Sequence, residues 1–347
     1  MIDYVTAKCY EHRITRHLTP EYLKNMWAVE RIINYDFDFM LYNFMNRTSS
    51  YLRIICPHTD SEGYYVPLTI KGSLRKWWYG DKSVADFSKQ DYEAAILFLF
   101  DNLKISPEEM RYFILSKIEV GMNIFLKVAC AEMLNGVIGY KSRCYKRNSY
   151  GVTGIVYETK TYKNFIKLYD KVEEICKDFK NSRVTDVEEL QFLENYLDKN
   201  ILRIERTLLH PAKIKKELGF HNLEDSIMYF GNLYSYFWKQ IQPIQFINDC
   251  DRLSSMDGLS NISYKELVNR LTCERINDLG IERFDRMTKQ LKRNVRRKIK
   301  KLYQSISIKS CSYNKRAFEN DVINQMLHSM VKSRCFVKKL FLRTSAA

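Results

Sequence analysis

Three separated segments of this chain alternate apolar and polar residues with a period of two, and all three carry chemically similar groups on the polar side. Successive side chains of a β-strand point to opposite faces. In residues 117–123, that rule puts Lys117, Glu119 and Asn123 on one face and Ile118, Val120 and Met122 on the other. In 166–171, Lys167, Tyr169 and Lys171 oppose Ile166 and Leu168, and in 201–207, Arg203, Glu205 and Thr207 oppose Leu202 and Ile204. A slip of one residue would turn each apolar set into water, so the register of such strands is strongly specified. The pattern predicts a sheet with one face on a core and, if the three strands are neighbours, two glutamates, a tyrosine and several cations gathered on the other.

In all, strands are expected at 51–56, 64–70, 113–124, 154–159, 163–171 and 201–208, the third, fifth and sixth of which contain the patterned segments. Helix starts are written at Thr19-Pro20-Glu21, where a hydroxyl cap precedes proline, at Ser88 with Asp91, and at Ser106-Pro107 with Glu109. Helices between strands make residues 1–240 an α+β unit, with an antiparallel or mixed sheet and helices packed on one face. Beyond Ile241 the strand signals fade. Pro243, Asp257-Gly258 and Ser260-Asn261 mark 241–262 as a linker, and 263–347 reads as a smaller helical, basic domain.

Fifty-six Lys and Arg against 41 Asp and Glu give a formal charge of +15, a balance that favours a polyanionic partner through counterion release. No apolar run approaches the roughly 20 residues of a membrane-spanning helix, and the opening MIDYVTAKCYEHR lacks the apolar core of a secretion signal. Nine cysteines without a C-x-x-C pair fit reduced, mostly buried thiols, hence a cytoplasmic protein, rather than a disulfide frame or zinc knuckle.

The predicted polar face has the components of a phosphodiester-cleaving surface. Glu119 and Glu205 could hold Mg²⁺ or Mn²⁺ through hard oxygen ligands, and the Tyr169 hydroxyl could attack phosphorus. A phenol near its ordinary pKa of about 10 needs help from a metal or a cation such as Lys171. Lys171 and Arg203 would also steady charge on the phosphate, with Lys167 beside them. The same residues equally suit an ordinary solvated face with cross-strand ion pairs, and pattern alone does not single out one of 24 tyrosines.

Several stretches sharpen the choice: MIDYVTAK, then IKGSLRKWWYGDKSVADF, KIEVGMNIFL, IKLYDKVEEI and ILRIERTLLHPAKIKKELGFHNLEDSI. In this order and spacing, over roughly residues 1–240, the chain resembles the gene II / gene X replication proteins of filamentous phages and their plasmid and prophage relatives. The resemblance implies a rolling-circle initiator that cuts one strand at an origin, stays joined to the 5′ phosphate, leaves a 3′ hydroxyl and later rejoins the displaced strand. It assigns the nucleophile to Tyr169, with Lys171 beside it, and the acidic partners to Glu119 and Glu205. It also implies single- and double-stranded origin DNA, and the bacterial host's helicase and polymerase, as partners. Where relatives carry Gly-His-Asn, this chain has Gly80-Asp81-Lys82, so Asp81 becomes a substitute metal ligand or a simple turn residue.

In the carboxyl-terminal third, RMTKQLKRNVRRKIKK (286–301) sets Leu291, Val295, Ile299 and Leu302 along one helical stripe. Lys292, Arg293, Arg296, Arg297 and Lys300 then face away, available to backbone phosphates without reading sequence. The segment before it has a helix-turn-helix rhythm around Gly280. Two other readings accommodate the residues: a non-catalytic DNA-binding regulator of replication, and a tyrosine enzyme of the relaxase or transposase kind.

Overall fold

A computed structural model describes residues 1–46, 50–80, 83–140, 146–147, 154–158, 165–182, 196–246 and 315–334. Fourteen strands occur among them: β1 Ile2–Cys9, β2 Val29–Arg31, β3 Asp38–Tyr42, β4 Tyr51–Ile55, β5 His58–Thr59, β6 Tyr65–Val66, β7 Leu68–Ser73, β8 Phe113–Phe125, β9 Val137–Tyr140, β10 Lys146–Arg147, β11 Gly154–Glu158, β12 Phe165–Asp170, β13 Ile201–Leu209 and β14 Ile244–Phe246. Ten of them form one sheet in the order β10-β11-β12-β13-β8-β1-β7-β4-β3-β2. Every pairing in it is antiparallel. The α+β expectation holds, and of the antiparallel and mixed alternatives the sheet takes the first.

The three patterned segments are β8, β12 and β13, and β13 lies between the other two. Their predicted apolar side is the core: Ile118, Val120, Met122, Ile124, Ile166, Leu168, Leu202 and Ile204 are all at most 1% exposed. They join one cluster with side chains from helices Lys89–Asn102, Pro211–Leu218, Leu223–Met228 and Asn232–Ile241. Each such aliphatic side chain contributes about 1.5–3 kcal/mol on burial. The helix starts follow the sequence. Thr19 accepts from the Tyr22 N–H, Ser88 accepts from the Asp91 N–H, and the Ser106 N–H donates to Glu109, although the turn after Ser106 is a 3₁₀ helix.

Helix Lys315–Lys332 belongs to the same core through Phe318, Val322, Met326 and Met330. Tyr234 Oη meets Ser329 Oγ and Ser333 Oγ at 2.9 Å, and the Phe246 and Phe318 rings are 5.3 Å apart. Part of the segment expected to form a separate basic unit is thus built into the first. Most of the expected linker lies outside the described residues, as do Lys292, Arg293, Arg296, Arg297, Lys300 and the Gly280 turn. No helix among the described residues is long and apolar enough to cross a membrane.

One boundary differs in a way that matters. The strand expected to run through Lys171 stops at Asp170, because the Asp170 carboxylate accepts the N–H groups of Val172 and Glu173 at 3.0 Å and caps a helix, Lys171–Ser182. This helix lies over one end of the sheet's polar face, where Val172 and Ile175 pack with Ile201 and Val84.

Candidate active site on the polar face of the sheet

Cross-strand register brings the polar residues together. Tyr169 on β12 stands opposite Arg203 on β13, which stands opposite Asn123 on β8. One step along, Lys167, Glu205 and Gly121 are in line, and Thr207 faces Glu119. The Tyr169 hydroxyl donates to Glu205 Oε1 at 3.0 Å. Lys167 Nζ lies 3.8 Å from Glu205 Oε2, Lys117 Nζ lies 3.0 Å from Glu119 Oε1, and the Thr207 hydroxyl donates to the same Glu119 oxygen at 3.3 Å.

Two glycines make room for this. A Cβ on Gly121 would sit 2.7 Å from the Ile204 carbonyl oxygen and 3.0 Å from the Arg203 guanidinium. One on Gly154, which pairs with Tyr169, would sit 2.8 Å from the Tyr169 Cβ and from the Leu168 carbonyl oxygen. The long side chains cross the space that other residues would fill.

Arg203, expected beside the phosphate, is the hub of the arrangement and is occupied by carboxylates in this structure. Its side chain is 1% exposed, and the guanidinium reaches Asp3 at 2.7 Å, Asp86 at 2.6 Å and Glu205 at 3.1 Å. Burial alone would lower its pKa, but the surrounding carboxylates outweigh this and hold it well above the usual arginine range. Arg203 therefore fixes where Glu205 sits, and its donors point inward. Lys171, expected to help the phenol, is likewise enclosed by the helix it begins and pairs with Glu174. Burial pulls its pKa below the ordinary lysine range in spite of Glu174.

Asp3, Asp86, Glu174, Gly121 and Gly154 went unread at the sequence level. Asp3 and Asp86 come from β1 and from the turn before helix Lys89–Asn102, far from the patterned strands in sequence, and no periodicity links them. The Asp170 cap did carry a signal: an aspartate with a glutamate three residues on, at capping-box spacing.

The electrostatics divide the acidic residues by role. The Tyr169 phenol is held well above its ordinary pKa, first by burial and then by the negative charge of Glu205. It is a neutral donor at rest. Glu119 is raised above the usual glutamate range, first by burial and then by repulsion from Glu205. Two mutually repelling carboxylates with hard oxygens are a donor set that fits Mg²⁺ or Mn²⁺, since Mg²⁺ characteristically takes one or two carboxylates and leaves the rest of its shell to water and phosphate. Among the described residues no group of three or more acidic, His or Cys side chains forms a complete cage, and Asp81 lies outside those residues.

The Glu119 shift has a measurable sign. The folded state holds this proton more tightly than the unfolded chain, so stability falls as pH rises from the free-glutamate value through the folded one, and the charged form costs stability above it. Glu119→Gln should therefore raise the thermal midpoint at pH 7 by a few degrees, at about 2–4 °C per kcal/mol for a domain of this size. The gain should disappear below about pH 4, where free glutamate is protonated too. A midpoint lowered at pH 7 would mean that the Lys117 pair dominates instead.

The antiparallel sheet of this α+β fold thus gathers a phenol, two carboxylates and flanking lysines on its polar face. The chain belongs to the family of the phage gene II replication-associated protein, whose amino-terminal model matches residues 1–224. It is thus a replication initiator of the filamentous-phage gene II type. No curated protein matches the chain.

Proposed function

We propose that the chain nicks one strand of origin DNA with Tyr169, forming a 5′-phosphotyrosyl bond, and later rejoins the displaced strand. The observation that carries this is the 3.0 Å hydrogen bond from the Tyr169 hydroxyl to Glu205, beside a second carboxylate, Glu119, raised first by burial and then by Glu205's charge. In the forward step the phenol oxygen bonds to phosphorus, its proton passes to Glu205 Oε1, and the bond from phosphorus to the preceding 3′ oxygen breaks. That oxygen takes up a proton and becomes the 3′ hydroxyl offered to a host polymerase, with a host helicase opening the strand ahead of it. Because a phosphotyrosyl ester conserves the energy of the broken bond, reversal by a 3′ hydroxyl closes a circle.

Glu119 and Glu205 would hold Mg²⁺ or Mn²⁺, and a bound divalent ion polarises a non-bridging phosphate oxygen and offsets the negative field that keeps the phenol protonated. Arg203 pins Glu205, and Lys167 and Lys117 face the incoming phosphates at 21% and 30% side-chain exposure. Asp81, and the basic residues Lys292, Arg293, Arg296, Arg297 and Lys300, would add ligation and backbone affinity.

Incubating the full chain with an origin-bearing supercoil and Mg²⁺ should yield open circles with protein attached to the 5′ end. A supercoil bound but left intact, with either metal, would favour the regulator reading.

A further inference from the structure

The sheet's polar face continues past the acidic pair toward β2, and its character changes. From β8 outward one cross-strand row reads Lys117, Thr6, Lys71, Arg53 and Met40. The opposite face of the same strands is closed, with Phe39, Leu41, Leu52 and Ile54 at 0% exposure. The core therefore has its aromatic and aliphatic residues already. Yet Trp27 is 74% exposed, Phe44 is 44% and Tyr51 is 46%.

These exposed rings are ordered. Trp27 stacks on Phe44 with centroids 5.2 Å apart, Phe44 on Tyr42 at 5.7 Å, and Tyr42 meets Tyr51, its cross-strand partner, at 5.7 Å. Glu30 accepts from the Tyr42 hydroxyl at 3.4 Å, and cations follow on the neighbouring strands. Arg53 pairs with Asp38 and lies 5.5 Å from the Tyr35 ring centroid, while Lys71 is crowded by Arg53 and Lys8, its pKa lowered first by partial burial and then by Arg53. A ladder of ring faces bordered by cations matches the chemistry of single-stranded nucleic acid, in which every base offers a π-face and every link a phosphate. Bases inside a duplex are stacked on one another and offer none. A twofold contact with a second copy would set these cations against themselves.

We infer that the Trp27–Phe44–Tyr42–Tyr51 ladder, with Arg53, Lys71 and Lys8, is a stacking track for unpaired DNA that leads to the Glu119–Glu205 face. From β3 to β8 is four inter-strand steps of ~4.8 Å, about 19 Å, a span of a few nucleotides. The track holds the melted strand in line with the nicking site, and this assignment rests on the origin-nicking reading above.

The test uses the full chain carrying Tyr169→Phe, without added metal, so that binding is read apart from cleavage. A fluorescein-labelled unpaired oligonucleotide and its duplex are titrated at one ionic strength. Adding Trp27→Ala and Tyr51→Ala should weaken unpaired binding by roughly 10-fold or more, and duplex binding by less than about twofold. Both side chains are exposed, and an unchanged thermal midpoint verifies the fold. In the Tyr169→Phe parent, the unpaired oligonucleotide should also quench tryptophan emission, and Trp27→Phe should remove that quench. Unchanged affinity, equal losses on both DNAs, or a change in sedimentation that marks the rings as a self-association face would each overturn the inference. An error in the choice of Tyr169 shows elsewhere, as a covalent adduct that persists in the parent variant.

Discussion

Tyr169→Phe should reduce covalent capture of origin DNA to background, a loss on the order of 10⁴-fold or more, as for removal of other nucleophiles. DNA affinity and fold should change little. Glu205 Oε1 keeps its 3.1 Å bond from Arg203 Nε when the phenol's donor is lost, so the structural cost is that of one hydrogen bond, about 0.5–1.5 kcal/mol. The resting phenol is raised rather than activated. Residual nicking by the unsubstituted chain without divalent ion should therefore climb with pH across the whole accessible alkaline range, and added Mg²⁺ should bring the activity down toward neutral pH. Gel analysis of nicked, protein-linked product decides the matter. An adduct of undiminished yield in the variant would transfer the role to another tyrosine.

The largest structural effect is expected at Arg203. Replacing it with alanine leaves Asp3, Asp86 and Glu205 facing one another around a space closed to water. Breaking a buried ion pair from one side costs about 3–5 kcal/mol, which should lower the thermal midpoint by roughly 6–20 °C. The pH dependence identifies the cause. Burial would raise the Asp3 carboxyl, but Arg75 and Arg203 outweigh it and hold the group well below the usual aspartate range. That stabilisation is present above the unfolded aspartate pKa of about 4 and is lost as pH falls through the folded value. The difference between the parent and Arg203→Ala should accordingly be widest near pH 7 and narrow below about pH 4. A gap that is constant with pH would point to lost packing instead. Nicking should fall along with stability, since Glu205 loses the group that holds it.

The three patterned strands were legible because a period of two is a geometric necessity of extended chain, and a buried face makes the register unforgiving. Their adjacency, with β13 in the middle, put Tyr169, Glu205 and Glu119 on one face as the alternation required. Alternation speaks of direction and says nothing about what covers a face, so the burial of two residues was not legible. Arg203 points toward the polar side, but Asp3, Asp86 and Glu205 surround its guanidinium there, and Lys171 lies past the end of the strand, buried at the start of the helix that Asp170 caps. The counter-charges Asp3 and Asp86 were illegible for another reason. They arrive through long-range pairing of β1 with β8 and through a turn, and nothing local in the sequence marks them. The exposed rings at the far edge were hidden similarly, since a tyrosine on a strand reads the same whether its ring is packed or bare.

The contact between Phe246 and Phe318 means that the two ends of residues 247–314 meet at one spot of the core. Topologically that stretch is an insertion rather than a tail, and chain closed in this way can change length cheaply, at about 0.6 kcal/mol for each doubling. A truncation after Phe246 would do more than remove appended sequence, because it would strip Phe318, Val322, Met326 and Met330 from a shared interior and leave Tyr234 without its serine partners. Excising the insertion and bridging the gap would keep that interior whole, and would separate the DNA affinity proposed for the basic stretch from what the final helix does for the fold.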